Sequence, residues 1–140
     1  MGKSIKDVEF IVGIPSYMEA DSIAFVTKQV DKGLVGYFKD LNTLIVNVDN
    51  NSSDDTRGVF LSAKTKTPKH YITTPEGIKG KGNNFLNLFR FGKKFKGTLK
   101  GAVVGYRLIC SPFFMASYSS SVRSSKSISI LPCLIPKSHG

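Results

Sequence analysis

Thr43-Leu44-Ile45-Val46-Asn47-Val48-Asp49-Asn50-Asn51-Ser52-Ser53-Asp54-Asp55 changes character in the middle. Thr43 to Val48 is rich in β-branched residues and predicts a buried strand. From Asp49 to Asp55 every side chain is polar and competes with regular backbone pairing, which predicts a turn and then a helix cap. A short helix is expected from about Thr56 to Lys64. The same grammar appears upstream, where Val8 to Ile14 reads as a strand that opens into a loop at Pro15. Between the two strands, Asp21 or Ser22 is a candidate cap. Ile23, Val26, Val30 and Leu34 then recur at helical spacing until Gly33 and Gly36 punctuate the end.

Downstream, His70 to Thr73 predicts a third strand, and Thr74 to Gly82 a loop rich in Pro and Gly. From Asn83 a helix is expected, with Phe85, Leu88 and Phe89 on its apolar face and Asn84, Asn87 and Arg90 pointing elsewhere. Gly101 to Val104 would be a fourth strand. Strand and helix alternating at this pitch predict the α/β class: a three-layer, mostly parallel sheet flanked by helices, Rossmann-like. Ligands of such sheets bind beyond the carboxyl ends of the strands. Three polar loops fall there: Pro15 to Glu19, Asp49 to Asp55, and Gly77 to Gly82.

The 140 residues carry 20 Lys plus Arg against 10 Asp plus Glu, a formal charge of +10, with 41% hydrophobic residues and 10 Phe. That length suits one domain, and the apolar content suits a packed core. The surplus alone would suggest a polyanion partner, but it is unevenly spread. Residues 1–76 hold all 10 acids and 9 bases, net −1, whereas residues 77–140 hold 11 bases and no acid. Residues 105–140 also include 10 serines and three prolines with no clear period. A domain at 1–104 followed by a Ser-rich, basic, non-native or disordered tail at 105–140 is therefore expected. Cys110 and Cys133 form no disulfide framework and no metal-ligand spacing, which fits a reducing, cytoplasmic setting. No apolar run approaches the ~18 residues that would span a bilayer.

Common phosphate and metal motifs fail when tested. The Walker pattern starting at Gly77 needs Lys and Ser or Thr where Asn83 and Asn84 stand, and the dinucleotide fingerprint starting at Gly80 has Phe85 in place of its third glycine. An EF-hand starting at Asp49 has Asp54 in place of Gly and Phe60 in place of Glu. Two features survive. Lys79-Gly80-Lys81-Gly82 at a helix start favours an anion through backbone N–H groups, the helix dipole and two ammonium groups. Asp49 at the end of a buried strand offers a carboxylate to a nucleobase N–H, with helix capping and solvation as the plainer role of Asp54 and Asp55.

Taken together, Ile11 to Glu19 (IVGIPSYME), Ile45 to Thr56 (IVNVDNNSSDDT) and Gly80 to Leu86 (GKGNNFL) resemble the start of a family 2-type glycosyltransferase of the GT-A fold, across roughly residues 5–104. The resemblance implies a nucleotide-diphosphate sugar as partner, linked to UDP or GDP. It implies that Pro15, Ser16, Tyr17 and Glu19 hold the nucleoside, with Glu19 near the ribose, and that Asp49 binds the base. Lys81 and Gly82 match a Gly-Lys-Gly segment beside base and diphosphate. Asn51 stands where the family often has Gly, and Asn tolerates left-handed backbone nearly as well.

The family pattern next calls for an Asp-x-Asp holding Mg²⁺ or Mn²⁺ near Val104. Here Gly105-Tyr106-Arg107-Leu108 follows, and neither metal ligand nor carboxylate base is available, so no catalytic residue is assigned. A one-base shift of the reading frame would account for this: GGN TAY CGN YTN read from its second base permits Asp-Thr-Asp-Leu. The competing reading is a basic nucleotide- or RNA-binding α/β module without catalysis. Against it, Phe85, Phe89 and Phe91 fall on a helix and its end instead of alternating along a strand as a base-stacking platform would.

Overall fold

The computed structural model describes residues 8–78, 80–95 and 100–103. The expected boundary after Val104 and the Gly105 to Leu108 stretch lie outside the described residues. Seven elements alternate: β1 (Phe10–Ser16), α1 (Ile23–Tyr37), β2 (Thr43–Asp49), α2 (Thr56–Ser62), β3 (Lys69–Thr73), α3 (Lys81–Gly92) and β4 (Lys100–Val103). The strands form one parallel sheet in the order β3-β2-β1-β4. The α/β expectation holds, with helices on both faces.

Side chains alternate across a strand, so each face has its own core. Phe10, Val12, Ile14 and Ile45 pack under Ile23, Val30 and Leu34 of α1 and Phe60 of α2. On the other face Ile11, Leu44, Val46 and Val48 pack under Leu88 of α3, with Phe85 and Phe91 against them. Each fully buried aliphatic or aromatic side chain contributes about 1.5–3 kcal/mol, so the two clusters dominate the fold's stability.

Four expectations need correction. β1 does not end at Pro15 but runs on to Ser16, with Pro15 opposite Val48 and Ser16 opposite Asp49. Ser16 turns its carbonyl towards β2, accepting from Asn50 N–H at 2.8 Å. Pro15, one residue earlier, therefore turns its backbone towards β4, whose described pairing ends at Gly13 opposite Val103. Its missing N–H removes no ladder bond among the described residues.

Helix α1 passes through Gly33 and Gly36 and closes only where Phe38 N–H meets the Leu34 carbonyl at 2.9 Å. A glycine inside a helix costs about 1 kcal/mol, less than the burial of Val30 and Leu34 returns. Ser22 occupies the N-cap position without a side-chain cap bond. Finally, α3 starts at Lys81, two residues early, and Asn84 faces inward at 3% exposure. Asn84 lies one turn before Leu88, on the stripe that packs on the sheet.

Candidate functional site at the carboxyl edge

In the order β3-β2-β1-β4 the chain direction across the sheet reverses between β1 and β4. A crevice opens at such a switch point, outside the carboxyl ends of the strands. The loops after β1 and β2 and the start of α3 lie at that edge, because a helix crossing between parallel strands runs back antiparallel to them.

Asp49 is the centre of the arrangement and has 0% exposure. Its Oδ1 accepts from Ser16 Oγ at 2.9 Å and from Ser52 Oγ at 2.6 Å. Its Oδ2 accepts from Ser52 N–H at 2.7 Å and from the Tyr71 phenol at 3.0 Å. Ser16 Oγ is itself held by Asn47 Nδ2 at 2.9 Å, and the same amide nitrogen reaches the Ile14 carbonyl at 2.9 Å. The register explains the cluster: Ser16 lies opposite Asp49, and Asn47 opposite Tyr71, so all four project from the α1 and α2 face.

The first two loops are tied to each other. Met18 N–H donates to Ser52 Oγ at 2.9 Å, and Glu19 N–H to Thr56 Oγ1 at 2.9 Å. Ala20 N–H donates to Asp54 Oδ2 at 3.1 Å, while Asp54 Oδ1 accepts from Thr56 N–H at 3.1 Å and from Thr56 Oγ1 at 2.5 Å. Asp54 is thus a bridge between loops as well as a cap. The Thr56 hydroxyl holds its carboxyl below the usual value, opposed by burial and aided by the N–H groups of Ala20 and Thr56. The third loop joins through Thr74, whose N–H donates to the Asp49 carbonyl at 3.0 Å and whose hydroxyl meets Asn50 Oδ1 at 3.3 Å.

Of the residues singled out in the sequence, Ser16 and Asp49 touch, and Pro15 is buried. Tyr17 and Asn51 are exposed at the rim, and Asn51 has a φ of 55°. That angle is the left-handed conformation, which asparagine tolerates better than most residues other than glycine. Glu19 is half-buried and its Oε2 accepts from Ser22 Oγ. Lys81 and Gly82 open α3, which covers the opposite face of the sheet, so they border the Asp49 cluster only across the edge.

The start of α3 is electrostatically open. Gly80 occupies the N-cap position with φ 117°, no side chain caps the helix, and its first turn has no acid. Gly77 and Gly80, both at positive φ, precede it, and a Cβ at Gly82 would meet no atom within 4 Å. Asn84 Oδ1, buried in the next turn, has no hydrogen-bond partner.

Sequence reasoning missed Asn47, Ser52, Thr56, Tyr71 and Asn84. Ser52 lies within the polar run that reads as turn and cap, and Thr56 follows it as the first residue of α2. Tyr71 joins the site only through the β2 to β3 register, which no local pattern specifies. An open groove of about 310 Å³, lined in part by Leu34, Phe38, Leu41, Lys39 and Lys66, lies at the amino ends of the strands, away from these loops.

Asp49 already accepts from four donors, and among the described residues there is no group of three or more His, Cys, Asp or Glu that could hold an ion. No helix among the described residues is long and apolar enough to cross a membrane. No protein-family model, curated protein or solved structure matches the chain.

Proposed function

We propose that the chain is the donor-nucleotide-binding half of a GT-A glycosyltransferase of the family 2 type, taking a UDP- or GDP-linked sugar at the carboxyl edge of its sheet. The observation that carries the reading is the cross-bonding of the loops after β1 and β2, centred on Asp49, beside the uncapped start of α3. A nucleoside diphosphate needs polar groups for the base and ribose and a positive end for the phosphates. The first lie in Ser16, Glu19 and Asp49, and the second in the positive end of the α3 dipole at Lys81 and Gly82. Transfer itself would need a metal and a base, and the sequence has no acid after Glu76 to fill the family's positions for them, so the chain is expected to bind without turning over.

Calorimetric titration with UDP and with GDP, set beside titration with a single-stranded oligonucleotide at two salt concentrations, tests the reading. Saturable binding of one nucleotide is expected, with weak oligonucleotide binding. Oligonucleotide affinity that falls steeply with salt, without response to either nucleotide, would instead establish the nucleic-acid module.

A further inference from the structure

Resting on the nucleotide-binding reading, we infer that Tyr71 occupies in the free protein the Asp49 oxygen that a nucleobase N–H takes in the complex, so that ligand entry exchanges one donor for the other. An ionised carboxylate offers about four acceptor positions. Asp49 fills four, with Ser16 Oγ, Ser52 Oγ, Ser52 N–H and the Tyr71 phenol. A ligand can hydrogen-bond to Asp49 only if one of these leaves.

The four differ in how readily they move. Both Ser52 bonds close a turn three residues long, and their geometry is fixed by the backbone. Ser16 is 1% exposed and its hydroxyl is clamped by Asn47. Tyr71 differs in every respect. It stands on the edge strand β3, is only half-buried, makes the longest of the four bonds, and can leave by side-chain rotation alone. Its ring is held in place by the Arg57 guanidinium, 5.4 Å from the ring centroid. An unpaired buried carboxylate is costly, so a protein that must offer Asp49 to a ligand gains by covering it with a removable donor.

The test is calorimetric titration of the full chain, its Tyr71→Phe variant and its Arg57→Ala variant with UDP and GDP, together with the Tyr71 ¹³Cζ resonance in tyrosine-labelled protein. Tyr71→Phe keeps the ring and frees the acceptor, so binding is expected to tighten about threefold to tenfold. Arg57→Ala is expected to tighten it in the same direction by about twofold, and decides the matter if Tyr71→Phe does not fold. The Tyr71 ¹³Cζ resonance of the unsubstituted chain should move on binding as the phenol leaves Asp49. Unchanged or weaker binding by the folded variants, with a stationary resonance, overturns the exchange while leaving nucleotide binding intact. No binding of either nucleotide by the unsubstituted chain overturns both.

Discussion

Leu88 lies over Gly13 so closely that a Cβ at position 13 would come within 2.2 Å of its Cδ2. The contact seats α3 directly on β1 and holds the Gly80 to Gly82 turn at the carboxyl edge. Gly13→Ala should destabilise the chain by about 1–3 kcal/mol through overpacking, and Leu88→Ala by about 2–5 kcal/mol through the cavity it leaves. The double variant should be less destabilised than the sum by at least about 0.5 kcal/mol, since each change relieves the other. Urea denaturation of the four proteins measures this, and strict additivity would deny the contact.

Asp49→Asn replaces one acceptor oxygen with an N–H₂ group that faces existing donors. Hydrogen bonds to charged groups contribute about 1.5–3 kcal/mol each, so losing part of the set should cost roughly 2–4 kcal/mol. The denaturation midpoint reads the effect, and a midpoint equal to that of the unsubstituted chain would mean that the carboxylate does not organise the loops.

Burial, and after it the Asp49 hydrogen bond and charge, push the Tyr71 phenol up to about 12, with Thr73 and Arg57 pulling the other way. The unfolded phenol titrates near 10. A raised folded value means that the folded chain holds its proton more tightly. The resulting stabilisation is complete below about pH 10 and is lost as pH rises through about 12. Denaturation midpoints at pH 9 and pH 11.5 should therefore fall more in the unsubstituted chain than in Tyr71→Phe. Equal falls would remove Tyr71 from the pH dependence.

Asn51 has left-handed backbone, which only glycine and, less readily, asparagine and aspartate adopt without strain. Asn51→Gly should change stability by no more than about 0.5 kcal/mol, whereas Asn51→Val should destabilise by about 1–2 kcal/mol. Thermal unfolding of the two variants distinguishes them. A tolerated valine would contradict the loop geometry.

The sheet was legible because Val8 to Ile14 and Thr43 to Val48 are apolar on both faces, as a strand covered by helices on either side must be. Pro15 misled the reading because its cost depends on whether its side of the strand is paired, a fact of tertiary structure. Asn84 reads as outward because it is polar, although its spacing of four residues from Leu88 puts it on the packed stripe. At the site, Ser16 and Asp49 could be singled out from the ends of their strands. The groups around them could not, since Tyr71 reaches Asp49 from a strand 22 residues away and Asn47 reaches Ser16 through a register between two strands.

The central claim, that the carboxyl edge is a nucleoside-diphosphate site, is tested most directly by following backbone amide resonances during titration with UDP and GDP. Saturable shifts confined to Ser16 to Glu19, Asp49 to Thr56 and Gly80 to Asn83 are predicted for one of the two nucleotides. Shifts centred on the groove at the amino ends of the strands, or none with either nucleotide, would contradict it.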